Sequence, residues 1–305
     1  MKLEGIHHIT AITGEAQRNV DFYAGTLGQR RVKQTVNQDE PSVYHLFYAD
    51  ERGSAGSDIT FFEFRGARPG RAGAGMVHRI VWRVGSPEAL DFWAERLGAA
   101  GHETARDGDS LRFSDPEGLD HELVVATVPD APLIADHPEV PGELALQGFH
   151  AARAYSADPE RSATLLESLE FERAEDGWEA RGDDRGGRWF YDQPPAEPGI
   201  GGAGTVHHIA WASEMDEQLA WRERAIGGGA RPTPVIDRFW FRSVYFREPS
   251  GVLFEIATLG PGFGVDEDPE HLGEKLILPP FLEDRREAIE AQLTPVTNPR
   301  VATRT

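Results

Sequence analysis

Gly5-Ile6-His7-His8-Ile9-Thr10 and, far downstream, Thr205-Val206-His207-His208-Ile209-Ala210 open two hydrophobic segments in the same way. Two more segments share the outline: Met76-Val77-His78-Arg79-Ile80-Val81 and Gly148-Phe149-His150-Ala151-Ala152-Arg153. Each places a histidine at one position of a short β-like run, so the chain reads as four copies of one unit. Three copies continue into apolar residues at helical spacing. These lie in residues 16–27 (Val20, Phe22, Tyr23, Leu27), 87–97 (Leu90, Phe92, Trp93, Leu97) and 158–169 (Leu165, Leu166, Leu169). The fourth helical pattern, 214–225, is weaker. Short strand candidates separated by turn residues follow each helix.

Each unit is therefore strand, helix and about three strands. One such unit cannot easily bury its own apolar face, so the units are expected to pair. The predicted architecture is an α+β fold of four βαβββ modules in two domains, with curved, mostly antiparallel sheets. A first pair of modules spans 1–130 and a second pair 147–260. The stretch 131–146 between them carries Pro132, Pro138 and Pro141, follows Pro129, and reads as a Pro-rich acidic linker. Residues 261–305 fall outside the repeat. They form an extension with an apolar run at 276–282 and a short helical pattern at 281–293, expected to pack on a domain and to fray at its last residues.

Composition narrows the chemistry. The 305 residues carry 31 Lys+Arg against 51 Asp+Glu, a formal charge of -20. Such a surface repels nucleic acid and anionic membranes. No apolar run approaches a membrane span, and Met1-Lys2-Leu3-Glu4-Gly5 carries no apolar signal core, so a soluble cytoplasmic protein is expected. There is no cysteine. Disulfides, thiolate nucleophiles and Cys-based zinc or iron–sulfur sites are excluded, and any metal must be held by His, Asp or Glu.

The residue after the leading histidine differs between copies: His8, Arg79, Ala151, His208. Adjacent strand residues point to opposite faces. The leading histidines, His7, His78, His150 and His207, are expected to face one side as architecture, and His8 and His208 the other. Each copy also has a late carboxylate: Glu63, Glu122, Asp192 and Glu255. A Glu in an apolar strand needs a cation, a donor or a proton. Copies one and four supply both elements, His8 with Glu63 and His208 with Glu255. That coincidence predicts a metal in a cleft shared by modules one and four. Copy two pairs Glu122 with Arg79, which suggests an ion pair where a metal would otherwise lie.

At these residues the chain resembles the vicinal oxygen chelate superfamily, which groups glyoxalase, bleomycin-resistance and extradiol dioxygenase proteins. It is most similar to the subgroup that cleaves hydroquinone rings. The likeness runs through Leu3-Glu4-Gly5-Ile6-His7-His8-Ile9-Thr10, Lys33-Gln34-Thr35-Val36-Asn37-Gln38-Asp39, Tyr44-His45-Leu46-Phe47-Tyr48-Ala49-Asp50, Gly251-Val252-Leu253-Phe254-Glu255 and Gly262-Phe263-Gly264-Val265-Asp266-Glu267-Asp268. The resemblance implies metal ligands at His8, His208 and Glu255, and catalytic roles for Tyr245, Arg238, His207 and Thr10. It also implies Fe(II), or else Mn(II), with a small aromatic substrate and O2 as partners. Classical extradiol enzymes take a histidine from the third module; Ala151 stands there, so that arrangement is closed to this chain. Arg238 and Tyr245 are seven residues apart and share no face of a regular strand, so a bulge or turn must intervene.

The expected reaction is ring cleavage of a hydroquinone- or catechol-like diol. Tyr245 would donate a hydrogen bond, Arg238 offset negative charge and His207 move a proton. If Glu63 joins the ligands, the set of two histidines and two glutamates resembles glyoxalase-type lyases and isomerases, which use zinc or nickel as a Lewis acid. A cleft that binds aromatic ligands without chemistry is a third reading. A homo-oligomer is allowed, and no segment specifies its interface.

Overall fold

The computed structural model describes residues 1–299; the end of the tail, expected to fray, lies outside the described residues. Module one runs β1 (Ile6–Thr13), α1 (Ala16–Val20) with a π-helical turn at Asp21–Thr26, β2 (Arg30–Val36), β3 (Tyr44–Ala49) and β4 (Asp58–Glu63). Module two has β5 (Val77–Val84), α2 (Pro87–Ala99), β6 (Thr104–Asp107), β7 (Ser110–Ser114) and β8 (Asp120–Val125). Module three has β9 (Phe149–Tyr155), α3 (Ala163–Ser168), β10 (Glu172–Ala174), β11 (Gly177–Arg181) and β12 (Gly186–Asp192). Module four has β13 (Val206–Ser213), α4 (Gln218–Gly227), β14 (Ile236–Asp237), β15 (Arg242–Arg247) and β16 (Leu253–Thr258). The four βαβββ units are as the repeats predict.

The helices form where the apolar spacing places them. Ser86 caps α2 by accepting the Ala89 amide, Pro87 takes the first turn, and Ala89, Leu90, Trp93 and Leu97 are buried on one face. The weakly patterned fourth helix starts later than its sequence suggests, at Gln218. Its first turn is pinned by the Gln218 side chain, which accepts from Ser213 Oγ and donates to the Ile256 carbonyl.

In every module the first strand runs parallel to the last, and the last three form an antiparallel meander. The sheets are built across the 131–146 segment, each taking one module from either side. One sheet has the order β14-β15-β16-β13-β1-β4-β3-β2, joining modules four and one. The other has the order β10-β11-β12-β9-β5-β8-β7-β6, joining three and two. The seams are antiparallel, β1 with β13 and β5 with β9. Trp82, Trp93, Trp189, Trp211 and Trp221 are fully buried between sheets and helices. No helix among the described residues is long and apolar enough to cross a membrane.

The extension beyond residue 260 packs on module one. Leu278, Leu282 and Ile289 cluster with Val36, and α5 (Arg286–Glu290) closes that patch. Lys33 on β2 is fully buried and pairs with Asp266 (2.8 Å) and Glu267 of the extension. Its ammonium also lies 4.9 Å from the Trp240 ring, whose Nε1 donates to Asp266 at 3.0 Å. Removing one partner of a buried ion pair leaves uncompensated charge, at about 3–5 kcal/mol. Lys33→Met is therefore expected to lower unfolding stability by about that much; an unchanged denaturant midpoint would contradict this role.

Candidate metal centre

His8 on β1 and His208 on β13 meet across the seam, where Thr10 faces His208 and His8 faces Ala210. Glu255 on β16 lies in register with Ala210. The side chains of His8, His208 and Glu255 therefore converge on one side of the sheet, all buried, Glu255 completely. His8 Nε2 is 3.2 Å from His208 Nε2 and 3.2 Å from Glu255 Oε2; His208 Nε2 is 3.0 Å from the same oxygen. Among the described residues these three form the one group suited to hold a metal ion.

Neither Glu255 oxygen has a well-formed hydrogen bond among the described residues. A buried carboxylate facing two imidazole nitrogens is unfavourable unless a proton or cation lies between them. Burial works to raise the Glu255 pKa; the two imidazoles outweigh it and hold the carboxyl well below its usual range. Burial also lowers the pKa of His208, favouring the neutral ring that a metal requires. For bonds of about 2.1 Å, cis ligands at right angles stand about 3.0 Å apart and tetrahedral ligands about 3.4 Å. The observed separations suit a facial triad that leaves positions open.

The leading histidines do not face the opposite side, as strict alternation predicts. Between Ile6 and His8 the register slips by one residue, and His7 is the extra one; His207 is the extra residue on β13. The other seam slips likewise at His78 and His150. All four leading histidines are thus β-bulge residues, and the bulge re-aims the side chain. His7 Nδ1 lies 2.9 Å from His8 Nδ1, and His207 Nδ1 lies 2.8 Å from His208 Nδ1. With Nε2 of His8 free for a cation, its Nδ1–H donates to His7 Nδ1, and His7 Nε2–H donates to the Thr258 carbonyl at 3.2 Å. This outer contact would fix the tautomer and ring plane of His8 as a metal ligand. Burial, helped by His8, takes the His7 pKa down to about 3.

A small pocket opens beside the triad. Tyr245 on β15 is in register with Glu255 and meets the His208 ring edge-on. Burial, reinforced by the Glu255 charge, raises its pKa well above the ordinary phenol value, so it keeps its proton. Arg238 sits in the turn between β14 and β15, where Phe239 takes a positive φ of 72°. This turn is what lets Arg238 and Tyr245 share the pocket, with the guanidinium 5.5 Å from the Tyr245 ring. Arg238 pairs with Asp39 across the mouth at 2.9 Å, and its carbonyl accepts from Gln38. Trp240 and Phe241 form one wall, with Phe241 packed on His7 and His8. Thr10 does not project freely into the pocket: it is fully buried and bonded to Thr60 at 2.7 Å. Sequence reasoning did not single out His45, Asp39, Trp240 or Phe241, because loops and neighbouring strands carry them in. The free space is about 40 Å³. A larger hollow of about 740 Å³ lies between the π-helical turn, α2 and residues 137–139, and none of the triad lines it.

Residues 5–123 match the model of the Glyoxalase/Bleomycin resistance protein/Dioxygenase superfamily. MhqO of Bacillus subtilis (strain 168), named as a ring-cleaving dioxygenase, is 43% identical over 304 residues, covering 96% of this chain and 97% of its own. The chain belongs to this superfamily. A chlorohydroquinone/hydroquinone 1,2-dioxygenase of Sphingobium indicum is 33% identical, covering 92% of this chain and 93% of its own. A Bacillus subtilis crystal structure, named as that of a dioxygenase, superposes with a TM-score of 0.89 at 41% identity, covering 97% of this chain and 98% of that one. Glyoxalase I from Zea mays, at TM-score 0.60 and 15% identity over 83% of this chain and 92% of its own, shares the fold.

Within this superfamily member, register reassigns the fourth position. Glu255 pairs with the residue two beyond His208. The counterpart in module one, opposite the residue two beyond His8, is Thr60 and not Glu63. Glu63 sits at the far end of β4, and its Oε1 accepts the Ala16 amide at the start of α1. The proposed two-histidine, two-glutamate set therefore does not assemble. In the other sheet the counterparts are Glu122 and Phe190. Glu122 pairs with Arg79 at 3.4 Å, as the sequence suggested.

Three sets of variants separate these roles. His208→Ala and Glu255→Gln are expected to abolish bound metal, while Glu63→Gln keeps it, by elemental analysis after anaerobic loading. Full retention in His208→Ala would remove the triad. His7→Phe is expected to weaken metal affinity about 10–100-fold; an unchanged affinity would make that histidine merely structural.

Proposed function

We propose that the protein is a metal-dependent ring-cleaving dioxygenase acting on a hydroquinone- or catechol-type diol, with Fe(II) or Mn(II) held by His8, His208 and Glu255. The observation that carries this reading is the convergence of three buried ligand atoms, at 3.0–3.2 Å, beside an aromatic-walled pocket. Relatives named as ring-cleaving dioxygenases over nearly the whole chain support it. The ion, when bound, supplies a redox-capable Lewis acid with open positions for a diol oxygen and O2. One ring C–C bond breaks and both oxygen atoms enter the product, so the diol itself reduces O2 and no outside reductant is required.

The chain's own residues hold the ring and manage charge. Phe62, Trp240 and Phe241 exclude water and stack on an aromatic ligand. Tyr245, kept protonated by burial, donates a hydrogen bond toward the open side of the triad. The exposed His207 links the distal nitrogen of His208 to solvent and serves proton movement. Thr10 holds Thr60 in place beneath the pocket. A cavity of about 40 Å³ is smaller than the roughly 150 Å³ known to admit benzene. Ring entry therefore requires the mouth to widen. Parting of Asp39 from Arg238 achieves this and frees the guanidinium for a negatively charged oxygen.

Protein reconstituted anaerobically with Fe(II) or Mn(II) is expected to take up O2 when given hydroquinones, as followed with an oxygen electrode. Zinc or nickel as the native metal, with no uptake on hydroquinones or catechols, would sink the reading. Tyr245→Phe should retain metal and lose about 10²–10³ in kcat; undiminished turnover would dismiss its donor role.

A further inference from the structure

His45, on β3, belongs to none of the roles above. It lines the pocket with His8, His208 and Tyr245. Register shows how it gets there. Thr10 pairs with Thr60, and Phe62, two residues on, pairs with His45, so His45 shares the triad's side of the sheet. Two strand spacings separate β1 from β3, roughly 10 Å. A ring admitted by the widened mouth would therefore have the candidate metal ligands at one end and this imidazole at the other.

Its two nitrogens have different fates. Nε2 lies 2.9 Å from Thr60 Oγ1, which lies 2.7 Å from Thr10 Oγ1. Both threonines are fully buried. No hydrogen bond to Nδ1 occurs among the described residues, and Nδ1 is not a sealed buried atom. His121 shows what a core histidine looks like in the same protein. Its Nε2 meets Tyr23 Oη at 2.9 Å and its Nδ1 accepts from Trp82 at 3.1 Å. Both of its nitrogens are used and the ring is completely buried. His45 is instead anchored at one nitrogen and open at the other, with its ring wedged against Phe47 and Phe62, centroids 4.0 and 4.4 Å away.

We propose that His45 hydrogen-bonds the hydroxyl of the substrate that does not reach the metal, and so selects para-diols over ortho-diols. This rests on the dioxygenase reading above and narrows its substrate class. In a catechol the two oxygens are neighbours, and both can approach the metal. In a hydroquinone the second oxygen lies at the far end of the ring, where a desolvated hydroxyl must find a partner. The threonine chain lets Nδ1 serve either way. If Nε2 carries the proton and donates to Thr60, Nδ1 accepts from the hydroxyl. If Thr60 donates to Nε2, Nδ1–H donates to a phenolate oxygen. Burial lowers the His45 pKa well below its ordinary value, so the ring is neutral and both tautomers are open to it.

The test compares metal-loaded wild type, His45→Phe and His45→Gln under anaerobic conditions. Binding of hydroquinone, catechol and phenol is read by tryptophan fluorescence, with metal content and melting temperature measured alongside. His45→Phe is expected to weaken hydroquinone binding roughly 10–100-fold. Catechol and phenol binding and metal content should be unchanged, and His45→Gln should restore part of the loss. Equal losses for hydroquinone and catechol, or no loss for either, would overturn the assignment. If His45→Phe does not fold, the wild-type preference for hydroquinone over phenol and the His45→Gln pattern decide it. Failure of the dioxygenase reading looks different: wild type takes up no O2 with either diol, whatever the binding results.

Discussion

The antiparallel seam between β1 and β13 brings His8 beside His208 across two hundred residues of chain, and every feature of the site depends on it. No local segment contains the site. The seam sets the imidazoles at ligand spacing, and the parallel pairing of β13 with β16 adds Glu255 from the strand next to β13. Three buried acceptor atoms at about 3 Å are mutually unfavourable without a proton or cation between them. A metal bound there and closure of the seam would therefore support each other, since a site absent from the unfolded chain returns its binding free energy to the fold.

The same architecture occurs twice, with different contents. Both seams carry paired bulges at the leading histidines. In the first sheet the bulge histidines bond to His8 and His208. In the second, His78 bonds Asp192 at 2.8 Å and stacks on Tyr155, and Arg79 with Glu122 occupies the place of ligand and carboxylate. The geometry of the seam thus supplies a cup, and the residues opposite it decide what fills the cup. Thr60 rather than glutamate leaves His8, His208 and Glu255 as the candidate ligands of the first cup, and its hydroxyl bridges Thr10 and His45.

The four modules were legible because their strand and helix periods repeat along the chain. The partner of each module was also partly legible, since only copies one and four place His at the second position. Bulges were not. Strict alternation sends His7 and His8 to opposite faces, and one extra residue in the ladder reverses that. The same insensitivity to register misplaced the module-one carboxylate. β4, β8 and β16 are all six residues long, and their third positions are Thr60, Glu122 and Glu255. Counting from the strand start would have separated Glu63 from the site; counting apolar neighbours did not. Asp39, Trp240 and Lys33 stayed hidden because their positions depend on loops and on the extension, whose packing has no period to read.

The most direct measurement is X-ray absorption on protein loaded anaerobically with Fe(II) or Mn(II), beside His8→Ala loaded in the same way. A shell of nitrogen and oxygen neighbours near 2.1 Å is expected. The outer scattering should correspond to two imidazoles in the wild type and to one, or to no bound metal, in the variant. A spectrum with no imidazole scattering, or one identical in the variant, would show that the metal is not held across the β1–β13 seam.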